Sequence, residues 1–106
     1  MKNDTLEYIL KSLTKEDLLL QLAEECAELG QAGLKMARVL IGRNPTPIKR
    51  PEAFNNLIEE YADVLLCMEV LGMETEEVYS MIREVQAEKL SRWKQRIEAN
   101  TDYNHT

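Results

Sequence analysis

Apolar residues recur every three or four positions along most of this chain, which is the period of an α-helix. One stripe runs Leu18, Leu22, Glu25, Leu29, Ala32, Met36, and a second runs Ala53, Leu57, Glu60, Val64, Cys67, Leu71. Each stripe is interrupted by a glutamate. Around those glutamates lie two related acidic clusters, Glu24-Glu25-Cys26-Ala27-Glu28 and Glu59-Glu60-Tyr61-Ala62-Asp63.

The punctuation between stripes sets the element boundaries. Residues 4–13 form a short amphipathic segment with Leu6, Ile9, Leu10 and Leu13 at helical spacing, and Asp4 suits its N-cap. Thr14, with Asp17 three residues on, resembles a capping box in which Asp replaces Glu. A long helix is expected from there to about Ile41, with Gly42 as the residue that ends it. Asn44-Pro45 and Thr46-Pro47 mark Arg43 to Arg50 as a loop. Pro51 suits the first turn of the next helix, which runs to about Leu71 before Gly72. Thr75 caps a last helix from Glu76 to about Glu98, and the polar stretch from Asn100 to Thr106 reads as a frayed tail. The fold class is therefore all-α: three main helices and a short N-terminal one, in a single helical domain over residues 1–106 with its core at about 15–97.

Two features point beyond one chain. The first long helix would span roughly 40 Å, too long for a compact monomer of this length. The next is apolar almost all round, from Leu57 and Ile58 through Tyr61 and Leu65 to Val70, so it must be central to something. The reading is a homodimer or homotetramer built by helix-on-helix packing.

Composition narrows the class. The chain has 106 residues, 44% hydrophobic and 30% charged, with a net charge of −6. That balance disfavours a polymeric nucleic-acid partner, which needs a basic surface. No apolar leader follows Met1-Lys2-Asn3-Asp4 and no uncharged apolar run of about 20 residues occurs, so no membrane partner and a cytoplasmic location are expected. Cys26 and Cys67 fall in apolar helical patterns and read as small core residues in a reducing compartment.

The acidic clusters carry the candidate chemistry. Residues three apart lie on one helix face, so Glu25 with Glu28 and Glu60 with Asp63 each make a carboxylate pincer. Either alone reads as an ordinary solvated helix face, because Glu is a good helix former. Two pincers that both intrude on apolar stripes read otherwise, because charge there is costly unless it is paired or bound to metal. Four converging carboxylates suit a hard divalent cation: Mg²⁺, with Mn²⁺ as a substitute. A di-iron bundle would need Glu-x-x-His on two helices, and the only histidine is His105, in the tail. Zinc is disfavoured for the same reason.

The last helix changes character midway. Val78, Ile82 and Val85 give way on the same face to Lys89, Arg92 and Arg96. Cations suit a helix C-terminus in any case. They also suit phosphate, and the two guanidinium groups can fork onto phosphate oxygens. Trp93 is either a stacking platform or an interface aromatic, the second being preferred. Lys35 is a weaker phosphate candidate.

The segments Gln21-Leu-Ala-Glu-Glu-Cys-Ala-Glu-Leu-Gly-Gln-Ala and Asn56-Leu-Ile-Glu-Glu-Tyr-Ala-Asp-Val-Leu resemble the MazG-like all-α nucleoside triphosphate pyrophosphohydrolases. The E-x-x-E and E-x-x-D signature of that family falls on Glu25, Glu28, Glu60 and Asp63, and Lys89-Leu-Ser-Arg-Trp-Lys-Gln-Arg looks like its basic end. The stretch between the two motifs is a little longer than is usual in the family, and residues 4–13 match no pattern in it. The resemblance implies hydrolysis of a (d)NTP to the monophosphate and pyrophosphate. Glu25, Glu28, Glu60 and Asp63 would be the catalytic metal ligands, and Lys89, Arg92 and Arg96 the phosphate ligands. Glu24 or Glu59 would be placed to orient water, or would face solvent. Two alternatives stand beside it. Activity on phosphoribosyl-ATP with none on free NTPs would mark the related pyrophosphohydrolase of histidine synthesis. Binding of Mg²⁺-nucleotide without turnover would mark a non-catalytic helical regulatory oligomer.

Overall fold

The structure is a computed structural model that describes residues 4–42 and 48–104, with side chains described to residue 100. The described residues form four α-helices and no strand: α1 (Asp4–Ser12), α2 (Lys15–Ile41), α3 (Arg50–Val70) and α4 (Glu76–Asn104). The Asn44-Pro45 and Thr46-Pro47 turns expected from the sequence, and His105, lie outside the described residues. Among the described helices none is long and apolar enough to cross a membrane.

The helix ends follow local chemistry. Thr14 is extended, at φ −81° and ψ 167°. Its hydroxyl accepts from the Asp17 N–H at 3.1 Å, while the Asp17 carboxylate accepts from the Thr14 N–H at 3.0 Å. Those bonds hold the Asp17 carboxyl below its ordinary value of 3.8. The cap therefore contributes fully above about that pH and is lost as pH falls through the folded-state value. Thr14→Ala is expected to lower stability by about 1 kcal/mol, read as a shift in urea midpoint at unchanged slope. At the other end Gly42 takes φ 79° and donates to Arg38 O and Val39 O, a left-handed cap for which glycine is suited. Thr75 accepts from the Val78 N–H at 3.2 Å at the head of α4. Asp4 is the first described helical residue, an acid in the first turn of α1. α4 runs on through Asn104, past the expected end near Glu98, because no glycine or proline interrupts it.

Contacts group the chain into two units, Met1–Gly72 and Met73–Thr106. In the first, α2 packs along α3. Leu18 and Ala32 of α2 and Ala53 and Val64 of α3 are buried. The half-buried positions continue the two stripes: Leu22, Glu25, Leu29 and Met36 on α2, and Leu57, Glu60 and Cys67 on α3 with Leu71 at its C-cap. Ala53 has no exposure at all.

One expectation needs correction. Cys26 is exposed, not core, because it lies one step round the helix from Glu25 and so turns away from α3; Cys67 is half-buried. Within the single chain α3 is not enclosed on all sides. Phe54, Ile58, Tyr61, Leu65 and Leu66 stay 42–52% exposed. In the second unit, every described side chain of α4 except Val78 is exposed.

Candidate metal centre

α2 and α3 run antiparallel, since Glu28 lies beside Glu60 while Lys35, farther along α2, shares a cavity with Asn56, earlier on α3. This direction sets the two pincers opposite each other. Glu25, Glu28, Glu60 and Asp63 each offer an oxygen, and the four oxygens all lie within 4.8 Å of one another. Glu25 and Glu60 are half-buried, at the glutamate interruptions of the facing stripes; Glu28 and Asp63 are exposed, at the rim.

The two inner carboxylates are incompletely satisfied. Oε2 of Glu25 and Oε2 of Glu60 are both closed off from solvent and accept no hydrogen bond. A buried acceptor without a donor costs free energy that a native structure recovers from a ligand or an unseen partner. Here both orphaned oxygens belong to one cluster of four, which is the arrangement oxygen-seeking cations take. Among the described residues, no lysine or arginine forms an ion pair with it.

Electrostatics agree with geometry. Burial pushes the Glu25 carboxyl above its ordinary value of 4.5, the hydrogen bond from Gln21 opposes that, and the charges of Glu28 and Asp63 add to the rise. Burial also raises the Cys67 thiol, with the negative charges of Glu25 and Asp63 adding to the effect, so Cys67 stays protonated beside the cluster.

Gln21 was not singled out by the sequence pattern. Its Nε2 donates to Glu25 Oε1 at 2.7 Å, which holds one oxygen of the carboxylate and leaves the orphaned one for a ligand. The signal was present as an i, i+4 Gln–Glu pair. Gln21→Ala is expected to weaken Mg²⁺ binding about 10- to 100-fold in a calorimetric titration, the usual cost of releasing a ligand's orienting partner.

Beside the cluster, a polar cavity of about 320 Å³ is lined by Glu28, Gln31, Ala32, Lys35, Asn56 and Glu60. The weaker candidate, Lys35, thus shares a cavity with two of the four carboxylates. Gln31 and Asn56 each lie one turn from a cluster acid, a spacing too common to mark them in the sequence. Glu24 and Glu59 are exposed and outside the group of four. Lys89, Arg92 and Arg96 are exposed on α4, in the second unit. Trp93 is exposed there as well, at 63%. The set can hold a metal ion between two helices, with a polar recess alongside.

No known family model, curated protein or solved structure matches this chain.

Proposed function

We propose that this protein is a Mg²⁺-dependent nucleoside triphosphate pyrophosphohydrolase that converts a (d)NTP and water to the (d)NMP and pyrophosphate, the reaction of the MazG-like family its motifs resemble. The observation that supports it most is the pair of buried, unpartnered carboxylate oxygens, Glu25 Oε2 and Glu60 Oε2, inside a cluster of four acids. A cluster this negative repels a triphosphate unless a cation stands between them. Glu25, Glu28, Glu60 and Asp63 would hold Mg²⁺, with Mn²⁺ fitting the same oxygens. When bound, the metal supplies charge neutralisation and an acidified water.

The chain's own residues have separable tasks in this reading. Gln21 keeps the Glu25 carboxylate in one orientation. Lys35 offers a cation in the recess beside Glu28 and Glu60, where a phosphate oxygen would accept from its ammonium. Gln31 and Asn56 offer amide donors and acceptors to the same recess. Lys89, Arg92 and Arg96 remain the proposed partners for the departing pyrophosphate, on the chemistry of their side chains. The bond broken is the anhydride between the α- and β-phosphates; the oxygen of water ends on the monophosphate.

The test is product analysis. The protein is incubated with Mg²⁺ and a panel of NTPs and dNTPs, with and without EDTA, and monophosphate and pyrophosphate are resolved. Equal amounts of both, abolished by EDTA, are expected. If no nucleoside triphosphate is turned over while Mg²⁺ still binds, the reading as a general NTP hydrolase fails. Phosphoribosyl-ATP is then the substrate to try.

A further inference from the structure

Lys35 shares the recess with two carboxylates and pairs with neither. It lies seven residues beyond Glu28, two turns along the same face of α2. Long side chains on a helix lean back toward its N-terminus, so the ammonium is carried toward Glu28. Even so, among the described residues the side chains of Gln31, Lys35 and Asn56 make no hydrogen bond and no ion pair, though all three line the cavity of about 320 Å³ with Glu28 and Glu60. Opposite charges thus face one another across a space wide enough to keep them apart. Asn56 is half-buried, and a carboxamide at that depth calls for a partner.

Charge is divided along the pair as well. From the cluster toward the end where α2 finishes and α3 begins, Lys35, Arg38, Lys49 and Arg50 outnumber Glu52 and Glu59. In the other direction Lys15 stands against Glu16, Asp17, Glu24 and Glu69. An anionic chain anchored at the cluster is therefore drawn toward the first end and repelled from the second.

We infer that the substrate lies along the pair with its β- and γ-phosphoryl groups in the recess and its nucleoside toward the Gln21 end, and that Lys35 selects triphosphates over diphosphates. This rests on the reading of the protein as a nucleoside triphosphate pyrophosphohydrolase. Once a metal takes the carboxylates, what the recess presents is N–H groups, on Lys35 and on the amides of Gln31 and Asn56. Phosphoryl oxygens only accept, and so match that set, whereas a sugar hydroxyl must also donate. The levels give the count. Gln31 lies three residues beyond Glu28 and Asn56 four before Glu60. In antiparallel helices both moves go the same way, so the two amides stand at one level, about one turn from the cluster, with Lys35 a turn farther on. With the α-phosphate at the metal, the next phosphoryl group meets the amides and the last one meets the ammonium. A diphosphate ends at the amides and leaves Lys35 unused.

Two measurements test this, one of them without turnover. In calorimetric titrations with Mg²⁺ present, Lys35→Met is expected to bind inorganic pyrophosphate about 10- to 100-fold more weakly, the usual loss for a hydrogen bond to a charged group. Nucleoside monophosphates, and Mg²⁺ alone, should bind as they do to wild type. In hydrolysis, the ratio of kcat/KM for the preferred NTP over its NDP should fall by a similar factor, and Lys35→Arg, which keeps the charge, should retain most of it. Lys35 is exposed, so neither variant disturbs the packing of α2 on α3. If Lys35→Met weakens the monophosphates and spares pyrophosphate, the nucleoside occupies the recess and the inference is overturned. An equal fall for NTP and NDP overturns it too. Should wild type turn over no NTP, the pyrophosphohydrolase reading fails, whereas equal pyrophosphate affinity in wild type and Lys35→Met overturns the placement itself.

Discussion

Glu25→Gln is expected to reduce Mg²⁺-dependent pyrophosphate release by at least about a hundredfold while making the metal-free protein more stable. The two effects have one cause. Glu25 sits among Glu28, Glu60 and Asp63, with one oxygen shut away from solvent and unpartnered. Its carboxyl is held above 4.5 first by burial and then by the charge of its neighbours. Below that ordinary value the folded and unfolded states are both protonated there, and the group contributes nothing. As pH rises, the unfolded chain releases the proton before the folded one, so stability is lost through that interval and stays lost above the folded-state value. Gln carries no charge at any pH and keeps an oxygen to accept from Gln21. In the metal-free state the variant should therefore melt higher than wild type at neutral pH, with the gap closing below pH 4.5. Added Mg²⁺ should raise the wild-type melting temperature by mass action and leave the variant unmoved. Asp63→Asn should act in the same direction, more weakly in stability because Asp63 is exposed. If Mg²⁺ shifts both variants as it does wild type, the four carboxylates are not the metal site.

Much of this arrangement was legible because it is periodic. The stripes from Leu18 to Met36 and from Ala53 to Leu71 are the faces that bury. A residue's place in a stripe depends on spacing alone, which a sequence states directly. Thr14, Asp17, Gly42 and Thr75 were legible because caps are local chemistry. Gln21 and the recess around Lys35 were harder to see, since a polar residue one turn from an acid is common and only the opposite helix makes it part of a site. The exposure of Cys26 is not legible in sequence, because an apolar neighbourhood says nothing of the side of the helix. α4 extends past Glu98 because polarity alone does not end a helix, whose propagation continues until something stops it.

The dependence of the site on helix spacing gives the second large effect. Ala32→Leu is expected to lower stability by about 1–3 kcal/mol and to weaken Mg²⁺ binding about tenfold or more. Ala32 is 4% exposed and lies one turn beyond Glu28, in the wall of the recess shared with Glu60. Three added carbons at such a point either press α2 away from α3 or enter the recess beside Glu28 and Glu60, and both disturb the carboxylates. The carboxylate oxygens now lie within 4.8 Å of one another, while Mg²⁺ holds its ligands at about 2.1 Å. A cation that small tolerates little widening, whereas Mn²⁺, slightly larger, should lose less affinity. Leu20→Ala, on a side chain 66% exposed, should change stability by less than about 0.5 kcal/mol and leave the metal affinity alone. Denaturant melts and calorimetric titrations of the two variants decide the matter. If Ala32→Leu binds Mg²⁺ as tightly as wild type, the close approach of α2 and α3 serves only packing. If affinity and stability fall together, the same small residues that let the helices touch also set the distance between the acids.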